Sequence, residues 1–189
     1  MHHTGISLAC QTLGIPAITV AMMLLTLQQI KYYIKTGHGE SEDYYSAEGG
    51  DPFQGGCQGN GAAPGYWIAE SRILLRFMTD CGHTTTITTA MTLVQMTLVS
   101  FMFVDDKELI TMAVQGDSHQ TLIRTAQHKL TNWQKGLEVT GGALKREKCY
   151  WYLVTFKWRA GRWLYGTETD FPGDLHIEEA GQQRTIQRL

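Results

Sequence analysis

The sequence has no Cys-x-x-Cys pair. Cys10, Cys57, Cys81 and Cys149 are scattered along 189 residues, a spacing that argues against a zinc site. It has no secretory signal, so reduced thiols in an intracellular protein, nuclear or cytoplasmic, are the expectation. It has no apolar run of membrane-spanning kind. Ala17 to Ile30 is too short and is interrupted by Thr and Gln. Ile87 to Val104 is uncharged, but it mixes Thr, Gln and Ser with β-formers and reads as strands. It also lacks a large net charge: the balance is −2, and nothing global points to nucleic acid.

The local absences say more. Residues 1–37 contain no Asp or Glu, and His38 to Gly56 holds five acids with no Lys or Arg. From Arg124 to Arg162 nine basic residues stand against two acids, Glu138 and Glu147, a local balance of about +7. Such asymmetry suits a face for a polyanion, or a solvated helix face.

What is there is the composition of a globular domain with a real core, 43% hydrophobic and 18% charged. Leu8, Leu13 and Ile15 lie in an N-terminal helical pattern, and Pro16 opens a second helix expected from Ala17 to Tyr33. Residues 38–56 read as a hairpin or loop. Trp67, Ile68, Ile73, Leu74, Leu75 and Phe77 recur at helical spacing and predict a helix over 65–79. The apolar runs 97–104 and 109–114 predict a strand, a turn at Asp105-Asp106 and a return strand. Asp117 or Ser118 can cap a helix to about Lys135 with Leu122, Ile123, Ala126, Leu130 and Trp133 on one side. Cys149 to Trp158 reads as a strand, 159–162 as its turn and Trp163 to Tyr165 as the return. Residues 166–189 read as a polar C-terminal tail. The order of elements predicts an α+β protein with an antiparallel sheet.

Three segments can carry chemistry. Adjacent carboxylates at a turn hold divalent metals against a phosphate, or simply make a polar turn. Gln58-Gly59-Asn60-Gly61-Ala62-Ala63-Pro64 runs into a helix, where glycines and a helix N-terminus suit a phosphate, or form a structural loop. Lys148 precedes a strand, where it can touch a phosphate, donate a proton to a leaving group, or be a solvated charge. The tryptophans read mostly as core or sheet packing, with Trp158 or Trp163 able to stack on a base.

Taken in order, Gln58-Gly59 with Ala63-Pro64, then Phe103-Val104-Asp105-Asp106, then Trp133, Gly136-Leu137 and Lys148 resemble the palm domain of a reverse transcriptase of retrotransposon type. The match covers about residues 8 to 165. The resemblance implies a palm-like antiparallel sheet packed on helices and RNA-directed DNA polymerase activity by a two-metal mechanism. It implies Mg²⁺ or Mn²⁺ as cofactor, two ions about 4 Å apart, with Asp105 and Asp106 as ligands. Lys148 would lie near the triphosphate, while Gln58, Gly59, Pro64 and Phe103 would face nucleotide and template. Lys145, Arg146, Arg159 and Arg162 would meet the nucleic-acid backbone, and the strand pair 149–165 resembles the hairpin that approaches the primer. The implied partners are an RNA or DNA template–primer and deoxynucleotide triphosphates.

The chain departs from the family in several places. A third aspartate is expected on an earlier strand, which would fall just before Met1. The domain is therefore expected to be truncated at its N-terminus, and no fingers segment or nuclease domain is found. Phe103 stands where Tyr is frequent, and Ala63 where many relatives carry Ser. The alternative expectation is a non-catalytic remnant that binds nucleic acid.

Overall fold

A computed structural model describes residues 2–46, 61–103 and 106–189. The chain divides into two compact units, Met1–Ile73 and Leu74–Leu189. Both mix helices with two-stranded ladders, so the α+β expectation holds at that level.

The first unit begins with α1 (His3–Thr12), α2 (Ala17–Gln28), β1 (Tyr32–Thr36) and β2 (Gly39–Tyr45). Ile6, Ala9 and Cys10 repeat at helical spacing and are buried with Val20, Leu27, Tyr66 and Ala69. Gly14, at φ 84°, ends α1, and the Ile15 N–H returns to the Cys10 carbonyl at 3.2 Å. The second helix stops at Gln28 rather than Tyr33. Tyr32, Tyr33 and Ile34 are β-formers and prefer a strand, where Tyr33 pairs with Tyr44 and their rings lie 5.8 Å apart. The acidic segment after Gly37 therefore supplies β2. The helix α3 (Ala63–Asp80) starts in this unit, and the boundary between units falls inside it.

The second unit holds the rest of α3 and a longer helix, α4 (His119–Val139). Ser118 caps α4, its Oγ accepting from the Thr121 N–H at 3.1 Å. Trp133 and Leu137 of α4 pack with Leu74 and Met78. A Cβ on Gly136 would meet Leu74 at 3.0 Å and Phe77 at 3.3 Å, so this glycine lets the two helices approach closely. The Trp133, Gly136-Leu137 segment is thus core packing.

The expected strand pair around the aspartates is split in two. The strands β3 (Thr85–Thr88) and β4 (Gln95–Leu98) form one hairpin, while β5 (Ser100–Phe103) and β6 (Asp106–Leu109) form the next. The return strand begins at Asp106 and is over by Leu109. Residues 110–114 leave the ladder because the Ile110 carbonyl accepts instead from Lys129 Nζ at 2.5 Å and Thr85 Oγ1 at 3.0 Å.

A short 3₁₀ turn, Arg146–Lys148, leads to β7 (Tyr150–Trp151), then the hairpin β8 (Phe156–Arg159) and β9 (Arg162–Tyr165). The expected strand 149–158 is therefore broken between Trp151 and Phe156. Beyond Gly166 the chain is folded, which corrects the polar-tail reading. The strands β10 (His176–Glu179) and β11 (Gln182–Thr185) form a hairpin, and β12 (Gln187–Arg188) pairs in parallel with β7. Leu175, Ile177 and Ile186 are buried against Ile123, Ala126 and Leu130 of α4. Each such side chain contributes roughly 1.5–3 kcal/mol on burial. The polar residues between them hid the pattern. Among the described residues no ladder exceeds two strands, so in place of the expected antiparallel sheet there are five separate hairpins and the parallel β7–β12 pair.

Candidate functional site

Phe103 pairs with Asp106 across the β5–β6 hairpin, and two residues separate them. Asp106 is exposed at the start of β6. Val104, Asp105 and the Phe103 side chain lie outside the described residues, as do Gln58 and Gly59. Pro64 sits exposed in the first turn of α3, where the missing N–H of proline costs nothing. Among the described residues no three His, Cys, Asp or Glu side chains form a group able to hold a metal ion.

The basic residues separate into two roles. Lys145 and Lys148 are exposed at the 3₁₀ turn, with the Lys148 N–H bonded to the Lys145 carbonyl at 3.0 Å. Arg146 is exposed too, but its Nε donates to the Thr185 carbonyl at 2.8 Å, so it also ties β11 to the turn. Arg159 and Arg162 are cross-strand neighbours at the end of the β8–β9 hairpin. Ala160 and Gly161 between them have φ of 50° and 77°, the positive values a two-residue hairpin turn needs. Behind the arginines Trp158 faces Trp163 at 5.2 Å and Phe156 faces Tyr165 at 4.8 Å.

A second cluster gave no sequence signal. Asn132 Nδ2 lies 2.7 Å from His83 Nε2. With the amide donating, Nε2 accepts and the ring proton sits on Nδ1. The His128 ring meets His83 edge-on at 4.9 Å. Burial, then His128 and Lys129, lower the His83 pKa and favour the neutral ring. Lys129 is itself buried, which lowers its amine to about 8. An open cleft of about 710 Å³ beside these groups is lined by Cys81, His83, Arg124, His128 and Thr131 among others. Residues 83 and 132 are 49 positions apart, so only the fold joins them.

No protein-family model, curated protein or solved structure matches the chain.

Proposed function

We propose that the chain is a palm portion of a retrotransposon-type reverse transcriptase, an RNA-directed DNA polymerase fold element that engages nucleic acid. The observation that carries this reading is the pairing of Phe103 with Asp106 between β5 and β6, which supports a hairpin at the aromatic-x-Asp-Asp sequence. The order of Gln58–Pro64, Phe103–Asp106 and Trp133–Lys148 along the chain supports it.

Asp105 and Asp106 are the proposed metal ligands. Carboxylate oxygens suit Mg²⁺, which keeps several waters and substrate phosphates in its shell. Two bound ions would supply activation of a primer hydroxyl and neutralisation of the leaving pyrophosphate. The fit is partial: of the two, Asp106 lies among the described residues, and no third donor joins it there. Lys148, exposed, would neutralise phosphate charge, and Lys145, Arg159 and Arg162 would meet the backbone of template or primer.

The lack of any Asp or Glu in residues 1–37, the stretch ahead of the Gln58 loop, favours a second reading, a nucleic-acid-binding remnant without turnover. A primer-extension assay on an RNA template with Mg²⁺ or Mn²⁺ separates the two. The remnant retains template–primer in a salt-dependent way and extends it little or not at all. Strong extension, abolished by Asp105→Asn, would establish a working polymerase. A chain that neither extends nor retains nucleic acid would overturn both.

A further inference from the structure

The β8–β9 hairpin carries an aromatic strip open to water. Phe156, Trp158, Trp163 and Tyr165 are 50%, 60%, 65% and 71% exposed. Their register is Phe156 opposite Tyr165 and Trp158 opposite Trp163. Alternation along each strand sends all four rings to one side of the ladder. The two ring pairs follow one another at roughly 7 Å along the strands.

The other side of this hairpin is spoken for. Lys157 is ion-paired with Asp170, and Asp170 also accepts from the Thr167 N–H at 2.9 Å and the Thr167 hydroxyl at 2.5 Å. Gly166 bonds the Thr155 carbonyl at 2.8 Å and has no room for a side chain against Phe171. The chain therefore covers one face and leaves the face richest in indole bare. Exposed apolar patches of this kind mark interaction sites.

Charge narrows the occupant. Arg159 and Arg162 close the strip at the turn, both exposed and in no ion pair among the described residues. By strand alternation their side chains start on the opposite side, and their place at the turn puts these long, charged side chains at the end of the strip. Bare π-faces with guanidinium groups at the rim match unpaired bases with phosphates running alongside. A neutral sugar or an acidic protein segment would use only one of the two features.

We infer that the Phe156, Trp158, Trp163 and Tyr165 face of the β8–β9 hairpin is a stacking platform for single-stranded nucleic acid, steered by Arg159 and Arg162. This deepens the nucleic-acid reading by naming the form recognised. It rests on the hairpin and not on Asp105 or Asp106.

The test titrates a dye-labelled 12-nucleotide oligo(dT) with the full chain and each variant and follows its anisotropy, with the tryptophan fluorescence of the native chain read alongside. Binding raises the anisotropy, quenches the tryptophans and weakens as salt rises. Trp158→Ala/Trp163→Ala weakens binding by about tenfold or more, and Trp158→Phe/Trp163→Phe restores most of it. Arg159→Gln/Arg162→Gln lowers the salt slope by about 1.4. The titration is run without divalent metal and primer extension is scored separately, which separates this site from the metal reading: loss of extension leaves the platform standing. Circular dichroism checks that each variant is folded. Unchanged affinity in the double alanine variant would overturn the inference. Equal or better binding to duplex DNA would do the same. So would a neutral oligosaccharide that quenches where oligo(dT) does not, or a self-association that the alanine pair abolishes without any oligonucleotide binding.

Discussion

The side-chain amide of Gln127 meets both backbone groups of His176, accepting from its N–H at 2.7 Å and donating to its C=O at 2.9 Å. Two helical turns on, Gln134 does the same for Glu178: its Oε1 accepts from the N–H at 2.9 Å and its Nε2 donates to the carbonyl. Two glutamines on α4 thus take the place of a neighbouring strand along β10. Alternate residues of a strand turn their backbone groups to opposite edges, and His176 and Glu178 share one edge. Removing either amide leaves a donor and an acceptor without partners. Gln127→Ala and Gln134→Ala are each expected to cost about 1–3 kcal/mol. Urea unfolding followed by circular dichroism measures it, and losses under about 0.5 kcal/mol, the range of ordinary surface changes, would mean water replaces the amides freely.

Deleting residues 174–189 removes Leu175, Ile177 and Ile186 from the side of α4 that carries Ile123, Ala126 and Leu130. The expected outcome is a second unit that loses cooperative unfolding and exposes apolar surface, read as dye binding and a broadened thermal transition. A truncated chain that melts as sharply as the full one would show that the C-terminal strands are an ornament on the fold.

Lys129 makes stability pH-dependent. Its folded pKa, about 8, lies below the ordinary 10.5. Between those values the unfolded chain binds more protons than the folded one, so this group raises stability as pH climbs from about 8 toward 10.5. Below about 8 both states carry the charge, and the folded state bears the burial cost. Lys129→Met is expected to flatten that rise relative to the native chain. Denaturant unfolding at a series of pH values checks it, and parallel curves for the two proteins would refute it.

Asp170 works in the other direction. The Lys157 hydrogen bond, followed by the Thr167 hydroxyl and N–H, holds its carboxyl below the ordinary range. A depressed carboxyl stabilises the loop above the ordinary carboxylate pKa, and that contribution is lost as pH falls through the folded value. Protection of the Thr167 amide against hydrogen exchange is expected to persist at pH 5 and fade under stronger acid. Asp170→Asn is expected to lose it at every pH, and unchanged protection in that variant would remove the carboxylate from the account.

The helices were the most legible part. The 3.6-residue period of Trp67 to Phe77 and of Leu122 to Trp133, with Ser118 as a cap, marks α3 and α4 within a few residues. The Arg159–Arg162 turn was legible because Gly161 accepts a positive φ. The C-terminal hairpin was not, because its burial is carried by Leu175, Ile177 and Ile186 among charged neighbours, and its outer edge is closed by side chains some 44 to 49 positions away. The end of α2 was missed for a local reason: no glycine or proline separates Gln28 from Tyr32. At the candidate site a hairpin near Asp106 was legible, but its return strand is Asp106–Leu109 rather than 109–114, and the His83–Asn132 contact depends wholly on tertiary structure.

The parallel pairing of β7 with β12 sets an order of events in folding. Gln187 meets Tyr150 and Arg188 meets Trp151, and the Leu189 N–H reaches the Trp151 carbonyl at 2.9 Å. The β3–β4, β5–β6, β8–β9 and β10–β11 hairpins close between near neighbours and can form within about microseconds. The β7–β12 pair must wait for a long loop to shut, and its loop entropy is spent before the contact returns anything. During synthesis the earlier elements of this unit remain without that closure until residues 187–189 have been made. Residues 187–189 are thus expected to act as a kinetic latch, closing this unit late.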